Sequence, residues 1–117
     1  TGSRSEAGEG NGQGFIANAP LAAGAGDIEI QGAFNQVLLP LWKRIDPALV
    51  LVSMGFDAHK RDPLASLEVT TPCFAALARF VLIHASGRPV AFVLEGGYDT
   101  SALAECTAAV AAACLEE

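Results

Sequence analysis

The sequence predicts an α/β fold, a parallel sheet with helices on both faces, built from three strand–helix units. Three observations carry this reading. Short apolar runs alternate with longer stretches whose apolar residues recur every three or four positions. The connections between runs are long enough for the helical crossover that parallel pairing requires. With 51% hydrophobic residues in 117, the chain also has the apolar material for one core.

The first 14 residues are rich in Gly, Ser, Glu and Asn and supply no face to pack, so they read as loop. Phe15 to Leu21 reads as a short strand that ends at Pro20, followed by a glycine turn at Gly24 and Gly26. Asp27 stands where a helix would be capped, and Ile30, Phe34, Val37, Leu38, Leu41 and Ile45 form its apolar stripe. Pro40 lies inside that helix and predicts a kink or a split, because proline removes a backbone donor and crowds the preceding turn. Asp46-Pro47 closes the segment. Leu49 to Ser53 has the pattern of a strand buried on both faces. A polar loop covers 55–69. Thr71 and Pro72 then open a second helix that buries Phe74, Leu77 and Val81 and ends at Gly87. Pro89 to Leu94 makes the third strand and Glu95 to Asp99 a tight turn. Ser101 to Leu115 forms the last helix, with Leu103, Cys106, Val110 and Cys114 on one face.

The balance of charges narrows the function. Thirteen acidic residues against seven basic ones give a net charge of −6, the wrong sign for a protein that grips phosphate backbones through a positive field. No apolar run approaches the ~20 residues needed to cross a bilayer, and no membrane partner is expected. Cys73, Cys106 and Cys114 are odd in number and set in helical patterns, which fits reduced core thiols in a cytoplasmic compartment, or a nuclear one in a eukaryote. The chain opens on Thr1 in a polar stretch, as a fragment or processed product would. Three strands taken from a larger sheet would leave an open edge, so self-association is expected.

In open parallel sheets ligands sit beyond the carboxyl ends of the strands. Two loops therefore meet at the functional edge, 55–64 after the second strand and 96–99 after the third. The first reads Ser53-Met54-Gly55-Phe56-Asp57-Ala58-His59-Lys60-Arg61-Asp62-Pro63-Leu64, and the second Leu94-Glu95-Gly96-Gly97-Tyr98-Asp99.

Both loops resemble the zinc-dependent histone deacetylase family, which carries S-x-G-F-D-x-x-x-x-D-P-L and E-G-G-Y in this order and at about this separation. Gly12 to Leu21, GQGFIANAPL, resembles the family's preceding segment, so the likeness runs over nearly the whole chain. The G-F-D-A-H and L-E-G-G-Y forms are closer to class II and bacterial acetoin-utilisation-type members than to class I. The resemblance implies the C-terminal part of an arginase/deacetylase-like catalytic domain that hydrolyses N-acetyl amides to acetate and amine. It implies Asp57 as one of three ligands to Zn2+, Tyr98 as the hydroxyl that stabilises the transition state, Gly96 as lining of the acetyl-lysine tunnel, and Leu64 as its apolar wall. The family's paired-histidine motif is not present in these 117 residues, the one D-x-H spacing, Asp57-Ala58-His59, belongs to the S-x-G-F-D loop and is not the family's separate D-x-H motif, and Met54 replaces a small residue. By this resemblance the complete domain is an enzyme, and the isolated chain is expected to be inactive.

Other residues invite chemistry less strongly. His59, two positions after Asp57, reads as a solvated loop residue, and His84 falls on the polar side of the second helix. Asp62-Pro63 shapes its loop, and Glu95 reads as a group behind the ligands. The glycines at 8, 10, 12 and 14 precede a strand instead of joining strand to helix, which is wrong for a phosphate loop. Expected substrates are acetylated lysine in a peptide or protein, or a small acetylated amine. An acetylpolyamine deacetylase and a catalytically silent interaction module are the rival readings.

Overall fold

A computed structural model describes residues 2–116. Between an irregular N-terminal segment and the first strand runs one long helical stretch, made of α1 (Asp27–Ala33), a π-helical turn over Phe34–Leu38 and α2 (Leu39–Ile45). The remainder alternates: β1 (Val50–Met54), α3 (Thr71–Ala85), β2 (Val90–Leu94) and α4 (Thr100–Cys114). The chain thus has the expected α/β class, with a parallel sheet of two strands instead of three among the described residues.

The strand expected over Phe15 to Leu21 does not form. Proline at 20 lacks a ladder donor, Phe15 and Ile16 are exposed, and no strand edge lies beside them. The segment is held instead by side chains: Asn18 Nδ2 donates to the Ser3 carbonyl at 3.0 Å, and Arg44 Nη1 donates to the Gly14 carbonyl at 2.9 Å.

Pro40 neither breaks nor ends its helix. The π-helical turn just before it widens the coil where the proline cannot donate to the preceding turn, and the backbone stays right-handed through Leu39. Asp27 does not cap this helix; Gly26 occupies the cap, its N–H bonded to Glu29 Oε2 at 2.8 Å. The Asp27 carboxylate instead accepts the Thr70 N–H at 2.8 Å and the Thr70 hydroxyl at 2.6 Å, tying the start of α1 to the start of α3. Thr70, one residue earlier than expected, is the N-cap residue of α3.

In the sheet Val50 pairs with Val90 and Met54 with Leu94, in register along both strands. One face, through Met54 and Phe92, packs on a core of Phe56, Val69, Phe74, Leu77, Ala78, Cys106 and Val110 supplied by α3, α4 and the loop after β1. The opposite face is bare, contrary to the expectation of helices on both faces and of a strand over Leu49 to Ser53 buried on both faces: Leu51 is 68% exposed and Val93 51%. The helical stretch from α1 to α2 lies on α3, through edge-to-face contacts of Phe34 with Phe80 at 5.4 Å and of Trp42 with His84 at 6.2 Å. His84 is accordingly half-buried, with Nδ1 donating to the Phe80 carbonyl at 2.7 Å, and not on a polar face.

The buried stripe of α4 is Ala102, Cys106, Val110 and Ala113. Leu103 packs at its margin, and Cys114, expected in the core, is exposed. Asp99 caps this helix through its side chain, which accepts the Ala102 N–H at 2.8 Å.

Candidate active site

The parallel ladder continues past the ends of both strands. The Glu95 N–H donates to the Met54 carbonyl at 3.0 Å and the Phe56 N–H to the Gly96 carbonyl at 2.9 Å, so the loops 55–64 and 95–99 are stitched side by side. Ser53 Oγ adds a bond to Glu95 Oε1 at 2.9 Å.

On this platform the Asp57 carboxylate lies between two glycines. A Cβ built on Gly55 would stand 2.7 Å from Asp57 Oδ1, and one built on Gly96 would stand 2.8 Å from Oδ2. Both distances are shorter than real contacts, so the carboxylate occupies space that only the absence of two side chains leaves open. The same point above Gly96 lies 3.4 Å from the Tyr98 hydroxyl. Asp57 and Tyr98, each from a different strand end, therefore converge over Gly96, and the Tyr98 side chain, 58% exposed, is open to a ligand. Leu64 stands further along the first loop and is likewise exposed. Gly97 carries a φ of +135°, which no L side chain adopts without strain; the turn needs glycine there to swing Tyr98 back over the platform.

Two residues that the sequence left in the background turn out to build the site. His59 is buried at 2% exposure, not solvated. Its ring stacks on Phe74 at 6.4 Å, Nδ1 accepts the Arg61 N–H at 3.1 Å, and Nε2 lies 3.1 Å from Thr71 Oγ1. Since Nδ1 accepts, Nε2 carries the proton and donates to the threonine, which is the neutral tautomer. Burial pushes the His59 pKa down, and the Arg61 charge adds to the effect. The His59 backbone pairs with Val69 beneath it, so the loop carrying Asp57 is anchored to the head of α3.

Asp62 is the second. Its buried carboxylate accepts the Leu64 N–H at 2.9 Å through Oδ1 and, across the loops, the Tyr98 N–H at 2.7 Å through Oδ2. It shapes its own loop as expected, and it also grips the neighbouring one. The acidic residue of the first loop, next in space to a Gly-Gly-Tyr turn at the neighbouring strand end, was the available signal.

No group of three or more His, Cys, Asp or Glu side chains among the described residues could hold a metal ion. What the chain offers a metal is one carboxylate in a glycine-walled slot, an oxygen donor of the kind zinc accepts, and further ligands would have to come from outside these residues.

The comparisons with known proteins identify the family. The family model described as the histone deacetylase domain matches residues 1–114. The chain is 42% identical over 111 residues to "Histone deacetylase 10, chloroplastic" of Oryza sativa subsp. japonica, an alignment covering 92% of this chain and 25% of that protein. It is 46% identical over 99 residues to "Polyamine deacetylase HDAC10" of Homo sapiens, covering 84% of this chain and 15% of that protein. Among solved structures, the HDA15 HD domain superposes with a TM-score of 0.87 at 32% identity, over 94% of this chain and 31% of that one. The histone deacetylase Clr3 superposes with a TM-score of 0.85 at 35% identity, over 92% and 18%. The chain thus spans about a quarter of the length of the first curated relatives it matches, at 25% and 26%. With residues 1–114 of its 117 matched by the family expected from its loop motifs, the chain belongs to the histone deacetylase family.

Proposed function

We propose that this chain supplies one zinc ligand, Asp57, and one transition-state donor, Tyr98, to a domain that hydrolyses N-acetyl amides to acetate and free amine. The observation that carries the proposal is the meeting of the Asp57 carboxylate and the Tyr98 hydroxyl over Gly96. Bound zinc would polarise the acetyl carbonyl and activate the attacking water. Asp57 contributes an anionic oxygen held in place by its slot. The Tyr98 phenol donates a hydrogen bond to the carbonyl oxygen as that oxygen gains charge, a contribution of ~3–4 kcal/mol for one such donor. Gly96, with no side chain, lets the acetyl group come close to the backbone, and Leu64 gives the substrate's aliphatic stem an apolar wall. Proton transfer to the leaving amine belongs to groups outside these residues, since the family's histidine pair is not among them.

Acetyl-lysine in a peptide is the leading substrate. An acetylated polyamine is the second reading, favoured by the 46% identity to a protein named as a polyamine deacetylase. The free thiols of Cys73, Cys106 and Cys114 support a reducing compartment, cytoplasmic or nuclear. The rice relative, by its name, is chloroplastic.

The test is kinetic, in a protein that carries the whole family domain. Tyr98→Phe should lower kcat by ~10²–10³-fold with zinc content unchanged, and Asp57→Ala should release the zinc. Full activity in either variant would remove the assigned roles. Comparing an acetyl-lysine peptide with an N-acetylated polyamine decides between the substrates.

A further inference from the structure

We infer that Asp62 is a positioning residue for Tyr98, its carboxylate fixing the turn that presents the phenol. The inference rests on the role proposed for Tyr98 and adds a residue that acts through it.

Asp62 is 8% exposed, and both of its oxygens are engaged by backbone N–H groups, Leu64 at 2.9 Å and Tyr98 at 2.7 Å. The three Arg–carboxylate ion pairs of the described residues, Arg61–Glu105, Arg79–Glu116 and Arg88–Asp46, all leave it out. A buried carboxylate without a cation depends on its hydrogen bonds. Here one of the two bonds comes from the turn bearing Tyr98: burial pushes the Asp62 pKa up, but the backbone N–H groups facing it outweigh burial and hold the group below its ordinary value. Shifting the Tyr98 turn would leave the anion unsatisfied, so the charge opposes the shift.

The turn needs such a restraint. Gly96 and Gly97 precede Tyr98 without a side chain to restrict the backbone, and Gly97 sits at a φ of +135° that side-chain-bearing residues rarely adopt. Asp62 removes that freedom at the Tyr98 nitrogen, and Asp99 removes it on the other side by capping α4. Asp62 is itself held, because its N–H donates to the His59 carbonyl at 2.9 Å and His59 is bound to Thr71 at the head of α3. A continuous chain of contacts therefore runs from α3 through His59 and Asp62 to the phenol over Asp57.

The experiment is a double-mutant cycle in a protein carrying the whole family domain, assayed on an acetyl-lysine peptide. Asp62→Asn keeps the shape but turns one acceptor into a donor. It should lower kcat by ~10²-fold, the cost of a misplacement of about 1 Å, with KM and zinc content little changed. Asp62→Asn combined with Tyr98→Phe should be no slower than Tyr98→Phe alone. If the two losses multiply, or if Asp62→Asn keeps the full rate while Tyr98→Phe is slow, the positioning role is overturned and the proposed function stands. If Tyr98→Phe keeps the full rate, the proposed function falls first and this inference with it. A direct measurement guards against a variant that fails to fold: in the unmodified protein the Tyr98 amide should exchange with solvent as slowly as the β2 ladder amides, despite its exposed side chain, and exchange at the rate of a free loop would overturn the inference.

Discussion

The Oδ2 atom of Asp62 accepts the backbone N–H of Tyr98 at 2.7 Å across two loops that are 36 residues apart in sequence. Together with the Phe56 N–H bond to the Gly96 carbonyl, this bond joins the D-P-L loop to the E-G-G-Y turn, so the two motifs form a single mechanical unit. Consequences for metal binding, pH response, stability and association follow from how that unit is built.

Gly96→Ala should damage the site without unfolding the chain. The added methyl would meet Asp57 Oδ2 at 2.8 Å and Cγ at 3.1 Å, and the side chain can retreat only by leaving its slot. In the whole domain we expect zinc affinity to fall by ~10–100-fold, measured by competition with a chelator, while the thermal midpoint stays close to that of the parent. An unaltered zinc affinity would mean that Asp57 is not a ligand in this position.

Acid should loosen the fold through His59. The folded pKa lies below the ordinary 6.5, so the neutral form is favoured on folding. The contribution to stability is therefore complete above 6.5 and is lost as pH falls below it, because the unfolded chain binds the proton more readily. Urea titrations between pH 7 and pH 5 should show stability declining with acid, and His59→Gln should flatten that decline. An equal slope in the variant would contradict the buried neutral tautomer.

Phe74 lies under both the loop and the sheet, 3% exposed, in edge-to-face contact with Phe56 at 5.1 Å and stacked beneath His59. Phe74→Ala should cost about 3–5 kcal/mol, the usual range for emptying an aromatic site in a core. Chemical denaturation measures it directly, and a loss under 1 kcal/mol would show that this core is not closely packed.

The uncovered sheet face should make the 117-residue chain associate with itself. Leu51 and Val93 lie diagonally across it, paired with Ala91 and Ser53, and both sheet edges are open among the described residues. Light scattering should report oligomers whose size falls in the Leu51→Lys, Val93→Lys double variant. A monodisperse monomer before substitution would refute this.

Much of this architecture could be read in the chain because its signals are local. The runs 50–54 and 90–94 are apolar and short, and the helices that follow repeat at helical spacing, so the two parallel units were recognisable. Phe15 to Leu21 also carried a strand pattern, but such a pattern shows only that a segment can extend, not that a partner edge is within reach. Leu51 and Val93 have the sequence of a doubly covered sheet, while their second cover is not among the described residues. The convergence of the loops followed from topology. The burial of His59 did not, because its cause, the Phe74 ring and the Thr71 hydroxyl, lies more than ten residues away behind the charged pair Lys60 and Arg61. Cys114 was misassigned because an alanine-rich helix leaves the phase of its buried stripe ambiguous.

The glycine-walled slot around Asp57 also constrains how this protein can vary. Its dimensions are set by main-chain atoms of two hydrogen-bonded loops, so a longer acid at 57 would overshoot the gap and a methyl at 55 or 96 would close it. Variation must therefore fall outside the slot, at exposed positions such as Leu64, while the floor stays fixed.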